Sequence, residues 1–136
     1  MSQTVLFVDD NPAVLEGLAR ALRKEPYEIV TATTTREAEA ILAGRPVSVI
    51  VSDEEMPGTR GTDFLSRVAK QYPHVVRIVL TGNVTPSVWT RAINSAGVYR
   101  FLGKPCNEVE LSLTIRQAIK QAGPAHETHA PQGVCP

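Results

Sequence analysis

VSVIVSDEEMPGTRG, residues 47–61, carries an almost unbroken apolar run into an aspartate, two glutamates and a Met-Pro-Gly turn. A strand with one wet face alternates apolar and polar residues, whereas a run that is apolar nearly throughout suits a strand covered on both faces, as in the middle of a parallel sheet. VVRIVL (75–80) reads the same way. Working outward, TVLFV (4–8), YEIVTA (27–32) and VYRFL (98–102) supply three more short runs, so five strands are expected.

Segments of helical period lie between them. Asn11-Pro12 offers a cap followed by a first-turn proline, and Val14, Leu15, Leu18 and Leu22 give that helix one apolar face. REAEAILAG (36–44) predicts a second helix, capped by Thr34 or Thr35 and closed by Gly44. Phe64, Leu65, Val68, Ala69 and Tyr72 mark a third, and Val88, Trp89, Ala92, Ile93 and Ala96 a fourth, which places Trp89 partly in the core. Asn107 with Glu110 resembles a capping box opening a last helix to about Gln121. Five strands alternating with five helices predict an α/β fold, a doubly wound five-stranded parallel sheet of (βα)5 type. Residues 1–122 are expected to form this domain. The segment 123–136, proline-containing and without periodicity, is expected to be a disordered tail or the start of a linker.

Composition narrows the function. The 136 residues are 43% hydrophobic and 21% charged, enough for one core. Fourteen basic residues balance fourteen acidic ones, so no bulk charge draws the domain to nucleic acid or to an anionic membrane. No apolar stretch is long enough to span a bilayer, no leader pattern opens the chain, and Cys106 and Cys135 form no C-x-x-C pair, so a cytoplasmic protein is expected.

Asp9 and Asp10 end the first strand and Asp53 ends the third. In the flavodoxin-like strand order 2-1-3-4-5 these two ends are neighbours at the switch point, where open α/β sheets bind ligands. Three converging carboxylates repel one another unless a cation or protons neutralise them, and an all-oxygen set suits Mg²⁺. Thr81 ends the fourth strand and Lys104 follows the fifth, so the same rim collects a hydroxyl and an ammonium. Transfer of a phosphoryl group to a carboxylate requires such a set. Asp53 would attack phosphorus, Mg²⁺ would offset charge on the oxygens, and Lys104 and Thr81 would hold the remaining ones. Each piece alone has a plainer reading: Asp9-Asp10-Asn11 as a helix cap, Asp53 as a turn, Thr81-Gly82 as a strand exit, Lys104-Pro105 as a solvated loop. Their joint placement at one end of one sheet carries the chemistry. It leaves the side chains of Glu54 and Glu55 unaccounted for.

FVDDNP (7–12), SDEEMPGTRG (52–61) with its D-x-x-M-P-x-x-x-G spacing, LTG (80–82) and FLGKP (101–105), in this order, resemble the receiver domains of two-component response regulators, chemotaxis regulators among them. The resemblance covers residues 3–121. It implies that Asp53 is the phosphoacceptor and that Asp10, Asp53 and the backbone carbonyl of Glu55 bind Mg²⁺ directly, with Asp9 acting through water. It further implies that Lys104 pairs with the phosphoryl group, that the Lys104–Pro105 peptide is cis, and that Thr81 and Phe101 form a switch repacking the face of the fourth helix, fifth strand and fifth helix. Glu55 and Asn83 would flank the path of the hydrolytic water.

The implied partners are a histidine kinase or phosphotransfer protein, a second copy through that switch face, and a C-terminal effector domain in a longer protein. The implied role is regulatory, with self-catalysed phosphotransfer and dephosphorylation but no metabolic turnover. AINSAGVYRFLGKPC (92–106) looks like receivers joined to cyclic-di-GMP phosphodiesterases or transcriptional activators, although many of those carry a bulky aromatic where Cys106 stands. The alternative is a Mg²⁺-dependent phosphatase with an aspartyl-phosphate intermediate. Haloacid-dehalogenase-type phosphatases usually carry D-x-D after the first strand, where this chain has Asp9-Asp10-Asn11. His126-Glu127-Thr128-His129 is not an H-E-x-x-H metal motif, Cys106 reads as a loop thiol, and the glycines at 58, 61, 82 and 103 form no phosphate loop of the G-x-x-x-x-G-K type.

Overall fold

A computed structural model of the chain describes residues 3–82, 85–94 and 97–122. In order, the elements are β1 (Thr4–Val8), α1 (Pro12–Ala21), β2 (Glu28–Ala32), α2 (Thr35–Gly44), β3 (Val49–Asp53), β4 (Glu55–Met56), β5 (Thr59–Arg60), α3 (Gly61–Gln71), β6 (Val76–Thr81), α4 (Pro86–Asn94), β7 (Arg100–Gly103) and α5 (Glu108–Ala122). The main sheet is parallel throughout, in the order β2-β1-β3-β6-β7. β4 and β5 pair only with each other, so the main-sheet strands run 2-1-3-4-5 in sequence, as expected.

Alternate residues of each central strand feed two cores. Leu6, Val8, Ile50 and Val79 face Ala38 and Leu42 of α2, Phe64, Leu65 and Val68 of α3, and Ala92 of α4. Val5, Phe7, Val49, Val51 and Ile78 face Leu15 of α1 and Leu111, Ile115 and Ala118 of α5. Both parities of β1 and β3 are therefore buried, which is why their sequences do not alternate. Each buried Val, Leu, Ile or Phe among them contributes about 1.5–3 kcal/mol, and the sheet is fixed from both sides.

The helix starts follow the cap chemistry. Asn11 accepts from Ala13 N–H at 3.0 Å, Thr34 from Glu37 N–H at 3.0 Å, and Asn107 from Val109 N–H at 2.7 Å. Thr34, and not Thr35, is thus the cap of α2. Two features depart from the sequence reading. β4 and β5 form a hairpin through Pro57 and Gly58, whose φ of +82° suits the third position of a type II turn. Trp89 is 52% exposed and Ile93 46%, because only Val88 and Ala92 among the described side chains of α4 are buried. Trp89 instead lies edge-on to Phe101, with ring centroids 5.3 Å apart. Ala96 and the segment 123–136 fall outside the described residues. Among the described residues no helix is long and apolar enough to cross a membrane.

At the N-terminal edge of β6, the Arg77 guanidinium donates to the carbonyls of Val75 (2.7 Å), Gly97 (3.2 Å) and Pro73 (3.5 Å). It joins the turn that enters β6 to the loop that leaves α4.

Candidate functional site

The strand register brings the predicted residues together. Val8 pairs with Ser52, Asp53 with Leu80 and Thr81 with Gly103, so Asp9, Asp53, Thr81 and Lys104 emerge from four adjacent strands at one rim. Backbone bonds extend the ladder past the strand ends, Asp9 N–H to Ala32 O at 3.1 Å, Glu54 N–H to Leu80 O at 2.9 Å and Lys104 N–H to Thr81 O at 2.8 Å. The reactive side chains thus stand on fixed backbone. The Lys104–Pro105 peptide is cis.

Carboxylate oxygens of Asp9, Asp10 and Asp53 all lie within 4.8 Å of one another, Asp10 exposed and the other two buried. Lys104 Nζ is 2.8 Å from Asp53 Oδ1 and 3.5 Å from Asp9 Oδ2. Asp53 Oδ1 also accepts from Glu55 N–H at 3.3 Å, so Lys104 and the Glu55 amide both hold the same carboxylate oxygen. Burial pushes Asp53 above the usual carboxylate range; the hydrogen bond and charge of Lys104 pull it back, and the charge of Asp9 adds to the rise. Burial works against the Lys104 charge, but the Asp53 hydrogen bond and the Asp53 and Asp9 charges outweigh it, so the ammonium is held above its usual range. Three carboxylates against one ammonium leave an excess of negative charge, and an all-oxygen donor set fits a hard divalent cation.

The two glutamates after Asp53 separate. Glu54 is 3% exposed and accepts from Thr62 N–H at 2.7 Å and Thr62 Oγ1 at 3.0 Å, while its carbonyl accepts from Gly61 N–H at 3.0 Å. α3 is preceded at its cap position by Arg60, whose side chain makes no cap bond, and Glu54 supplies the missing acceptor from outside the helix. Glu55 turns the other way. Its carboxylate accepts from the Thr81 hydroxyl and, at 3.3 Å, from Gly82 N–H. Nothing in the sequence distinguishes these neighbouring acids except their parity along the chain. Gly61 is required sterically, since a Cβ there would lie 2.1 Å from the Asp53 carbonyl oxygen. Phe101, at partial burial, packs against the core on the α2–α3–α4 face. Asn83 lies outside the described residues. Cys106 is partly buried, and burial followed by the charge of Glu110 pushes its thiol up, in keeping with a loop thiol of low reactivity.

A five-stranded parallel sheet with an acidic pocket and an apposed lysine at its C-terminal rim defines a class, and the family match agrees: the response regulator receiver domain model covers residues 5–116, and the chain belongs to that family, the receiver domains of two-component systems. The hydrogenase transcriptional regulatory protein HoxA of Cupriavidus necator is 37% identical over 126 residues, covering 93% of this chain and 26% of HoxA. This chain spans about a quarter of the length of the curated relatives it matches. Among solved structures, the signal receiver domain of an HD domain-containing protein from Pseudomonas fluorescens Pf-5 superposes with a TM-score of 0.86 at 34% identity, covering 90% of this chain and 98% of that one. The receiver domain of NtrC4, solved as a beryllofluoride-activated dimer, gives 0.81 at 34% identity, covering 88% and 98%.

Proposed function

We propose that Asp53 accepts a phosphoryl group from the phosphohistidine of a histidine kinase or phosphotransfer protein. The observation that carries this reading is the 2.8 Å contact of Lys104 Nζ with Asp53 Oδ1 inside the cluster of Asp9, Asp10 and Asp53. Oδ2 of Asp53 attacks phosphorus, the new O–P bond forms as the P–N bond to the donor imidazole breaks, and the leaving imidazole takes up a proton. Lys104 then pairs with a phosphoryl oxygen, and the Thr81 hydroxyl donates to another. Asp10, Asp53 and the backbone carbonyl of Glu55, with Asp9 through water, would hold a Mg²⁺ ion whose charge offsets that of the phosphoryl oxygens. Hydrolysis of the acyl phosphate returns the domain to rest, so its catalysis serves signalling. No observation favours the phosphatase alternative.

Engagement of Thr81 alters the packing of Phe101 against Trp89 and so the face formed by α4, β7 and α5. Of these elements, α4 exposes Trp89 and Ile93, and α5 exposes Val109 and Leu113. The face serves as the output surface, including contact with a second copy, a reading supported by the dimer of the NtrC4 receiver domain. The domain occupies residues 1–122, the segment from 123 lies outside it, and an effector domain in a longer protein reads its state in the cytoplasm. A small phosphodonor such as acetyl phosphate tests the central step. With Mg²⁺, intact-mass spectrometry is expected to record one phosphoryl adduct on the wild type and none on Asp53→Asn. Wild-type modification of Asp53→Asn would remove Asp53 from the role, and loss of the adduct on chelation would support the metal requirement.

A further inference from the structure

Resting on the reading of Asp53 as phosphoacceptor, we propose that the Glu55 carboxylate is an internal stand-in for the phosphoryl group: it holds the Thr81 hydroxyl and Gly82 N–H at rest and must be displaced before either can serve a phosphoryl oxygen. The side chain reaches back over the rim from β4 to the end of β6, across 26 positions of sequence, and both of its oxygens are engaged there. A hydroxyl carries one proton and can donate to one acceptor at a time. Thr81 therefore cannot keep its bond to Glu55 and also donate to a phosphoryl oxygen.

The same strand-end segment places the carboxylate and the acceptor in one unit. Glu55 N–H donates to Asp53 Oδ1 at 3.3 Å, so the backbone that orients the acceptor also carries its competitor. Unlike the buried Glu54, Glu55 is exposed and can swing into water when released, regaining hydration that offsets the lost bonds. The contact sets a threshold. It keeps Thr81, and through it Phe101 and Trp89, in the resting arrangement until an anion with more charge than a carboxylate arrives.

Calorimetric titration with beryllofluoride at saturating Mg²⁺ reads the competition. Glu55→Ala is expected to bind the mimic at least about tenfold more tightly than wild type, the scale of one hydrogen bond to a charged acceptor. Removing a negative charge would by itself favour an anion, so the cycle is completed with Thr81→Ala. In that background the gain from Glu55→Ala should shrink to about twofold or less, because the latch has lost its hydroxyl. An equal gain in both backgrounds would mean charge repulsion alone, and no gain would overturn the proposal while leaving the phosphoacceptor reading intact. The Gly82 amide resonance tests the contact without any mimic. It should move in Glu55→Ala, and an unmoved resonance would overturn the latch even if the wild type failed to bind beryllofluoride, a failure that would count against the phosphoacceptor reading.

Discussion

Replacing Gly61 by alanine puts a methyl group 2.1 Å from the Asp53 carbonyl oxygen, 2.9 Å from its carbon and 3.0 Å from Glu54 Cα. Carbon and oxygen rest about 3.3–3.6 Å apart even in close favourable contacts, so a gap of about 1 Å must open. No side chain can give way. The carbonyl belongs to β3, a strand paired on both sides, and Gly61 N–H is tied to Glu54 O at 3.0 Å. Overpacking costs about 1–3 kcal/mol, and a backbone-to-backbone clash belongs at the upper end, offset by at most about 1 kcal/mol from the better helix propensity of alanine. The expected net loss is about 2 kcal/mol, a fall of about 8 °C in Tm for a domain of this size. Gly17, exposed in the middle of α1, is the internal control, since nothing lies within 4 Å of its added Cβ. Gly17→Ala should gain about 0.5–1 kcal/mol. Urea unfolding followed by circular dichroism measures both. Equal shifts in one direction, or an unaltered Gly61→Ala, would refute the steric argument.

Tyr27 is buried and its hydroxyl has no hydrogen-bond partner among the described residues, so Tyr27→Phe should stabilise the domain by about 1 kcal/mol, read as a higher urea midpoint. Burial, followed by the charge of Glu25, also pushes that phenol up to about 12 against an ordinary 10. The native state then holds the proton more tightly than the unfolded chain. The resulting stability is present below about pH 10, is lost as pH rises toward 12, and that loss should be absent in Tyr27→Phe. Trp89 emission should change when Mg²⁺ and beryllofluoride are added, stay constant in Asp53→Asn, and change less in Thr81→Ala; constancy in the wild type with the mimic bound would disconnect Phe101 and Trp89 from the site. A chain ending at Ala122 should keep its Tm and its mimic binding, since both cores lie within residues 5–118; a loss of either would show that later residues dock.

Much of the fold was legible because both parities of VSVIV and VVRIVL are apolar, a pattern that strands buried on both faces require. The candidate site was legible for a related reason. In a parallel sheet every strand ends at the same rim, so polar residues closing Val8, Ser52, Leu80 and Gly103 must meet there. What remained hidden depends on side-chain direction within a tight segment. Glu54 and Glu55 are alike in sequence, yet one is sealed under α3 and the other crosses to Thr81. The hairpin around Pro57-Gly58 is too short to produce a strand pattern, although its turn residues are the ones such a turn needs. Trp89 and Ile93 misled for another reason: an apolar stripe gives the face of α4 but not the depth at which the helix lies.

The Arg77 clamp makes the two ends of α4 mechanically unequal. Among the described residues its exit is tied by the Arg77 bond to Gly97 and by Val98 N–H donating to Ala92 O at 3.1 Å, whereas its entrance follows Thr81 by only a few residues. In the proposed switch, a push delivered at Thr81 would meet a pivot near Gly97, and the helix would answer as a lever with its fulcrum at the far end. Displacement grows with distance from that fulcrum, so Trp89 would sweep a wider arc than Ile93. A partner gripping the first half of α4 would feel the full stroke, while one gripping its last turn would feel little of it.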